Sequence, residues 1–160
     1  MSDYRFSYKP QEPHAKALGR SLSISPKQSQ EICRVLRGMP VTKAKELLSK
    51  TMNLKEAIPF KHHYTNVGHR KGKIGPGRYP ILACKEIRTI LTSAETNAAH
   101  KGLGSNLIIK HIIAQEGPKV LRRMGHHAKR THIEVVLVAG KDEPKKIKPI
   151  KQLTKPSVTQ

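Results

Sequence analysis

A basic stretch between two apolar segments constrains the fold of this chain more than any other feature. The apolar segments, residues 107–114 and 133–139, are rich in β-branched side chains and have the length of strands. The stretch between them, residues 117–132, contains no acidic side chain and is too polar to lie in a core. We therefore predict an antiparallel β-hairpin whose arms belong to a packed sheet, while residues 117–132, called the finger below, project from it. At about 3.3 Å per extended residue, roughly seven residues per leg would reach about 20 Å from the body.

The finger is the strongest candidate for contact with an anionic partner. Its positive side chains are Lys119, Arg122, Arg123, Lys129 and Arg130. Arginine offers a planar fork of donors to a phosphate, and lysine offers a compact charge. A solvated loop is the alternative, but such a loop gains nothing from excluding every acid. Met124-Gly125 is the predicted turn, because glycine adopts a positive φ at no steric cost.

The net charge favours a polyanionic partner for the whole chain. Lysine and arginine outnumber aspartate and glutamate 31 to 11 over 160 residues, which gives a formal charge of +20. Self-repulsion of this size is tolerated mainly when a polyanion neutralises it. Nucleic acid is the leading class of partner. An anionic membrane surface is the weaker one, since no apolar run approaches the roughly 20 residues that span a bilayer. Only 4% of the residues are aromatic, so stacking of bases on an aromatic platform is not the expected main mode of binding.

Three helices and one further strand are predicted ahead of the hairpin. Residues 17–24 alternate, with Leu18, Leu22 and Ile24 on one face, and indicate a strand. A helix follows Ser25, whose hydroxyl is expected to cap it, with Pro26 at the first helical position. Gly38 ends this helix. Helical apolar spacing then recurs over residues 41–52 and, most strongly, over residues 80–101.

These elements predict one α+β domain with basic extensions. Three helices pack on a small antiparallel β-sheet that carries the long basic β-hairpin of residues 107–139. The domain covers residues 17–139 and includes a basic loop at residues 60–80. A basic N-terminal arm, residues 1–16, precedes it. A lysine-rich tail, residues 140–160, follows it and has too little apolar surface to order itself without a partner.

The basic loop supports nucleic-acid contact better than a metal or a nucleotide site. Its histidines have no cysteine or carboxylate near them, which disfavours zinc. Three residues separate Gly68 from Gly72, one fewer than a phosphate-binding P-loop needs, and Ile74 follows Lys73 where that motif has Ser or Thr. The candidate RNA or DNA contacts outside the finger are Lys16, Arg20, Lys61, His62, His63, Arg70, Lys71, Lys73 and Arg78. His126 and His127 in the finger can hydrogen-bond phosphate or base without a metal.

The sequence offers little for catalysis. The 11 acidic residues are scattered, with no pair spaced for acid and base roles and no nucleophile motif. Cys33 and Cys84 form no CxxC pair and are predicted to be buried thiols. We predict no enzymatic activity, no cofactor and no metal. The chain starts without the apolar core of a signal peptide, and together with its few cysteines this leads us to expect an intracellular, reducing compartment.

Several stretches, in order from about residue 15 to 139, resemble one family. They are Leu-Arg-Gly-Met-Pro-Val-Thr-Lys-Ala (36–44), Ile-Pro-Phe-Lys (58–61), Val-Gly-His (67–69), Gly-Arg-Tyr-Pro (77–80), Ser-Ala-Glu-Thr-Asn-Ala-Ala-His-Lys-Gly-Leu (93–103), Gly-Pro-Lys-Val-Leu-Arg-Arg (117–123) and Thr-His-Ile-Glu-Val-Val-Leu (131–137). Together they resemble the large-subunit ribosomal protein called L twenty-two in bacteria and archaea and L seventeen in eukaryotes. The loop at residues 60–80 is similar to the insertion of the archaeal and eukaryotic members.

The resemblance implies a body near the mouth of the peptide exit tunnel and a hairpin that lines the tunnel. Arg122, Arg123, Lys129 and Arg130 would hold ribosomal RNA, and Met124, Gly125, His126 and His127 would lie nearest the passing peptide. The implied partners are large-subunit ribosomal RNA, neighbouring ribosomal proteins and the nascent polypeptide, with no membrane and no homo-oligomer. The implied setting is the cytosolic ribosome, with roles in translation and subunit assembly. The segment between Pro118 and His132 is several residues shorter than in the eukaryotic members.

Two other classes of function are weaker. A DNA-binding or chromatin protein is expected to present a recognition helix with exposed base-reading side chains. A membrane-surface protein is expected to carry lysines and large apolar residues on opposite faces of one helix. The predicted helices of this chain are instead committed to a core.

Overall fold

The structure, a computed structural model, describes residues 6–72 and 74–140. In chain order the elements are β1 (His14–Leu22), α1 (Pro26–Leu36), α2 (Val41–Met52), β2 (Ile58–Pro59), β3 (His69–Arg70), β4 (Gly75–Arg78), α3 (Ile81–His100), β5 (Leu107–Glu116), β6 (Val120–Leu121), a 3₁₀ turn (Arg123–Gly125), β7 (His127–Ala128) and β8 (Thr131–Ala139). The predicted α+β class is confirmed. The predicted tail lies outside the described residues except for Gly140, as do residues 1–5 and Lys73.

The main sheet is antiparallel and has the strand order β1-β8-β5. Helix α3 packs on β1 and β8, α1 packs on β5, and α2 packs on α3. Strand β8, the last strand of the described residues, is therefore the central one. Its side chains at Ile133, Val135 and Leu137 are fully buried among the helices. The helices of the described residues include none with the length and apolar composition of a membrane span.

Strand β1 differs from its prediction in its bounds and in which of its alternating side chains are buried. It starts at His14, three residues before the predicted domain boundary, and its buried face carries Ala15, Ala17 and Gly19 in place of Leu18 and Leu22. The reason is the close approach of α3: a Cβ atom at Gly19 would overlap Cδ1 of Ile90. Only small residues fit between the strand and the helix here, and the larger Leu18 lies on the opposite face of the strand.

The N-terminal arm covers the face of the sheet opposite the helices. Residues 6–13 form neither helix nor strand, and they pack against the sheet. The backbone N–H and Oγ of Ser7 both donate to Oε2 of Glu134, at 2.9 and 2.8 Å. The ring of Tyr8 stacks on His111, with 5.1 Å between the ring centroids. Glu134 is 1% exposed, so the arm supplies hydrogen bonds to a carboxylate that the sheet alone would leave open to water.

Helix α1 begins and ends as predicted except for its cap. Pro26 is the first helical residue, but the hydroxyl of Ser25 makes no capping hydrogen bond, so that prediction is wrong. Ser25 acts through its backbone oxygen, which accepts from the N–H and Oγ of Ser29 at 3.0 and 2.9 Å. Gly38, with φ of 80°, turns the chain after the helix, and its N–H donates to the backbone oxygen of Ile109 at 2.8 Å. This turn covers part of the outer edge of β5.

The Ser-Ala-Glu-Thr-Asn-Ala motif of α3 has a structural role. Ala94 and Ala98 are fully buried, which lets the helix lie close to the sheet. Glu95 forms an ion pair with Lys45 of α2. Nδ2 of Asn97 donates to the backbone oxygen of Lys16 at 3.0 Å, and so α3 also covers the outer edge of β1.

Candidate nucleic-acid interface

The finger is a hairpin that leaves the main sheet between β5 and β8. The sheet ladder ends at the pair Glu116 and Thr131, one more hydrogen bond joins Gly117 to Arg130 at 2.8 Å, and pairing resumes between β6 and β7. A Cβ atom at Gly117 would lie 2.9 Å from Cβ of Arg130, so glycine permits the close approach of the two legs. The turn falls where predicted, with φ of 59° at Met124 and 72° at Gly125.

The last two residues of the finger belong to the body of the protein. Thr131 is fully buried, and its Oγ1 donates to the backbone oxygen of Ile24 at 2.8 Å. Nδ1 of His132 accepts a hydrogen bond from the backbone N–H of Ser21 at 3.1 Å. The prediction that the whole stretch lies outside the core is therefore wrong at this end. An irregularity in β1 between Gly19 and Leu22 is the cause, since it brings Ser21 against the strand.

The basic side chains of the finger beyond its base are presented to solvent. The exposed side chains of the predicted set are Lys119, Arg122, Arg123, His126, His127 and Lys129. Arg130 is half-buried, and its Nη1 donates to the backbone oxygen of Ser21 at 3.3 Å. Arg130 therefore helps to fix the base of the finger, while the other basic side chains of this set are exposed.

Large apolar side chains are also exposed near the turn. Leu121 is 72% exposed and Met124 is 87% exposed. Val120 and Leu121 were not among the predicted site residues, although their position inside a charged segment is a signal that the sequence carries. The tip of the finger therefore presents apolar surface as well as charge.

The basic loop is more ordered than predicted. It contains the hairpin of β3 and β4, and β4 also pairs with β2 to give a second, three-stranded sheet. Gly72 and Gly75 have φ of 102° and 72°, so these two glycines allow the tight turn that closes the hairpin. Nε of Arg70 donates to the backbone oxygen of Gly77 at 3.1 Å, and its guanidinium lies 5.3 Å from the ring centroid of Tyr79. Arg70 thus stabilises the hairpin.

A buried carboxylate that the sequence did not single out anchors the start of the loop. Oε1 of Glu31 accepts the backbone N–H groups of His62 and His63 at 2.7 and 2.8 Å, and Oε2 accepts that of Lys61 at 3.1 Å. Glu31 is 1% exposed. Burial raises the pKa of this carboxyl, but the three backbone donors and the charge of Arg34 outweigh burial, and the net pKa is lowered.

The remaining predicted contacts lie in three regions: the basic loop, the end of β1 and the side of β1 that faces the N-terminal arm. Lys61, His62, Lys71 and Arg78 are exposed on the basic loop, and Arg20 is exposed at the end of β1. His63 is half-buried and, together with Lys119 and Lys129 of the finger, lines one cavity. Lys16 instead faces the N-terminal arm, with Nζ 5.2 Å from the ring centroid of Phe6. The structure therefore brings the loop and the finger together and leaves Lys16 apart from them.

Neither cysteine is placed for chemistry, and no metal site is evident in the described ranges. Burial raises the pKa of Cys33 and of Cys84 to about 12, so both thiols are protonated and unreactive at neutral pH. The prediction that they are buried is confirmed. Within residues 6–72 and 74–140, no three His, Cys, Asp or Glu side chains gather in a way that could hold a metal ion.

Comparison with known proteins identifies the family. A family model described as "Ribosomal protein L22p/L17e" matches residues 17–137. A protein of Methanopyrus kandleri named "Large ribosomal subunit protein uL22" is 44% identical over 139 residues, which cover 79% of this chain and 87% of that protein. Proteins of the same name from Thermoplasma acidophilum and Methanocaldococcus jannaschii are 41% and 38% identical, covering 81% and 84% of this chain and 91% and 92% of theirs. The resemblance seen in the sequence is therefore confirmed, and the chain belongs to the ribosomal protein L22p/L17e family.

Proposed function

We propose that this chain is a structural constituent of the large ribosomal subunit and binds ribosomal RNA through the finger and the basic loop. The observation that carries the proposal is a cationic hairpin without acidic side chains, anchored in the core of a domain of this family. Its relatives bear the name of a large-subunit protein. The finger and the basic loop both expose lysine and arginine side chains, which suit the phosphates of folded RNA. When these side chains bind phosphates, they displace the counterions condensed on the RNA.

The alternative of a DNA-binding or chromatin-type protein has less support. Each of the three helices commits its apolar face to the core, and the cations of the candidate interface are concentrated on hairpins. Family membership also favours the ribosome. The proposed partners are large-subunit ribosomal RNA, neighbouring ribosomal proteins and the nascent polypeptide, and one copy acts in each cytosolic ribosome, in translation and in subunit assembly.

Sedimentation tests this function. The chain, expressed with a tag in an archaeal host and separated on sucrose gradients, is expected to travel with large subunits at low salt and to be released progressively as salt increases, because the contacts are largely ionic. A tagged chain that remains at the top of the gradient at low salt would exclude the proposal.

The tip of the finger is proposed to face the growing peptide inside the exit tunnel. Met124 and Gly125 lie in the turn, and His126 and His127 follow it. All four residues are exposed, which leaves them available to a passing chain. A photoreactive amino acid at position 125 is expected to crosslink to a stalled nascent peptide, whereas the same group at the exposed position 43 of α2 is expected to give no peptide adduct. Equal labelling from both positions, or none from 125, would place the tip outside the tunnel.

A further inference from the structure

A groove runs along helix α1 between the basic loop and the finger. Two cavities of about 540 Å³ each form it, and they adjoin, because Gln30 and His63 line both. The first is lined further by Arg34, Arg37 and His62. The second lies at the base of the finger.

The second cavity combines positive charge with flat ring faces. Its lining includes Lys27, Lys119, Lys129, Arg130, His63 and His127. Nε2 of His63 lies 2.8 Å from Oε1 of Gln30, and this contact orients the imidazole. The proline rings of Pro26 and Pro118 complete the wall.

The acidic residues of the groove do not cancel its charge. Glu31 lies under the first cavity, but its carboxylate is buried and accepts three backbone N–H groups. Glu116 is exposed at the edge of the second cavity, where it is outnumbered by Lys27, Lys119 and Lys129. The groove as a whole therefore suits a chain of phosphates.

The shape of the groove favours one form of RNA. A volume of about 540 Å³ falls in the range of roughly 300–1,000 Å³ that holds small-molecule ligands, and a paired base inside a duplex cannot enter such a cavity. Bases of single-stranded RNA can be splayed out and stacked on imidazole or guanidinium planes. Cations beside the stacking faces would meet the flanking phosphates.

We propose that this groove binds a single-stranded segment of RNA and seats one unstacked nucleotide in the cavity between α1 and the base of the finger. The proposal rests on the RNA-binding function above and specifies the form of RNA that this surface takes. It gives a role to Lys27 and Arg34, which lie on a helix that the sequence assigns to the core.

The first test compares two double variants with equal loss of charge. Lys27→Gln with Arg34→Gln alters the groove, and Lys43→Gln with Lys85→Gln alters exposed positions on α2 and α3 that do not line it. Binding of a ten-residue oligouridylate to the full chain is expected to weaken about tenfold in the groove variant and less than about twofold in the control. The slope of log K against log salt is expected to fall by about 1.4 in the groove variant, since each phosphate contact on a single strand contributes about 0.7. Equal losses in the two variants would overturn the proposal.

The second test uses the unaltered chain and examines the nucleotide seat. Adenosine monophosphate is expected to shift the imidazole NMR signals of His63 and His127 and to leave those of His14 and His100, which do not line the cavity, unchanged. Ribose 5-phosphate, which lacks the base, is expected to bind at least about threefold more weakly. If the two probes bind equally, or if the signals of all histidines shift, the proposed nucleotide site in this cavity is wrong.

Parallel binding to large-subunit RNA separates the two claims. If that RNA binds tightly while the groove and control variants lose oligouridylate affinity equally, the groove proposal fails and the proposed function stands. If the binding of oligouridylate requires the groove but the chain does not associate with large subunits, the groove proposal stands and the proposed function fails.

Discussion

Replacing Lys119, Arg122, Arg123 and Lys129 together by glutamate is expected to abolish incorporation of the chain into large subunits. Each change replaces a positive by a negative charge, so the formal charge falls from +20 to +12, and all four side chains are exposed on the finger. Lost phosphate contacts and new repulsion act in the same direction, and the affinity for large-subunit RNA should fall at least about 100-fold. Filter binding at fixed low salt measures the change.

The matched control reverses four exposed charges elsewhere. Lys43, Lys55, Lys85 and Arg88 replaced by glutamate give the same net charge on α2, α3 and the turn after α2. The control should lose affinity less than about tenfold, because only long-range attraction is reduced. Arg130 is left unchanged in the finger variant, since its hydrogen bond to the backbone of Ser21 supports the fold. A control that loses as much affinity as the finger variant would show that net charge, and not the finger, determines binding.

The second large effect is expected at Glu31 and concerns stability. Glu31→Ala leaves the backbone N–H groups of residues 61–63 without their acceptor, which should lower the free energy of unfolding by about 2–4 kcal/mol. For a chain of this size that corresponds to a fall in Tm of roughly 5–15 °C. Glu46→Ala, at an exposed position of α2, is the control and should change Tm by less than about 2 °C.

The pH dependence of stability identifies the cause at Glu31. The pKa of Glu31 is lowered in the folded protein, so its ionised form stabilises the fold. This contribution is complete above the pKa of the unfolded chain, about 4.3, and is lost as the pH falls through the lower pKa of the folded state. Thermal unfolding between pH 7 and pH 3 should therefore show a weaker acid dependence in Glu31→Gln than in the unaltered chain. The same acid dependence in both proteins would contradict this role for Glu31.

The sequence predicted the hairpin and the helices because their signals are local and strong. Two runs of β-branched residues flank a segment without acidic side chains, and this pattern predicted the finger. Met124-Gly125 contains the glycine near the middle of that segment and so predicted the turn. Residues 80–101 showed a helical repeat of apolar side chains, and the structure places the helix at Ile81–His100. The periodicity of apolar side chains and the ability of glycine to adopt a positive φ are enough to predict such elements.

The features that the sequence did not reveal depend on contacts between distant segments. The phase of β1 follows from the closeness of α3, which makes Ala15, Ala17 and Gly19 the buried face. Glu31 was one acid among 11 until the fold placed it under the basic loop. Lys27 lies on a helix assigned to the core, and only its place beside the finger marks it as a candidate contact.

The salt dependence of binding tests most directly whether the finger cations contact RNA phosphates. The unaltered chain is compared with a variant in which Lys119, Arg122, Arg123 and Lys129 are replaced by glutamine, which removes the charges without adding repulsion. With a contribution of about 0.7 to 0.9 from each phosphate contact, the slope of log K against log salt for large-subunit RNA should become shallower by about 3. If the two proteins give the same slope, the finger does not hold the RNA and the account is wrong.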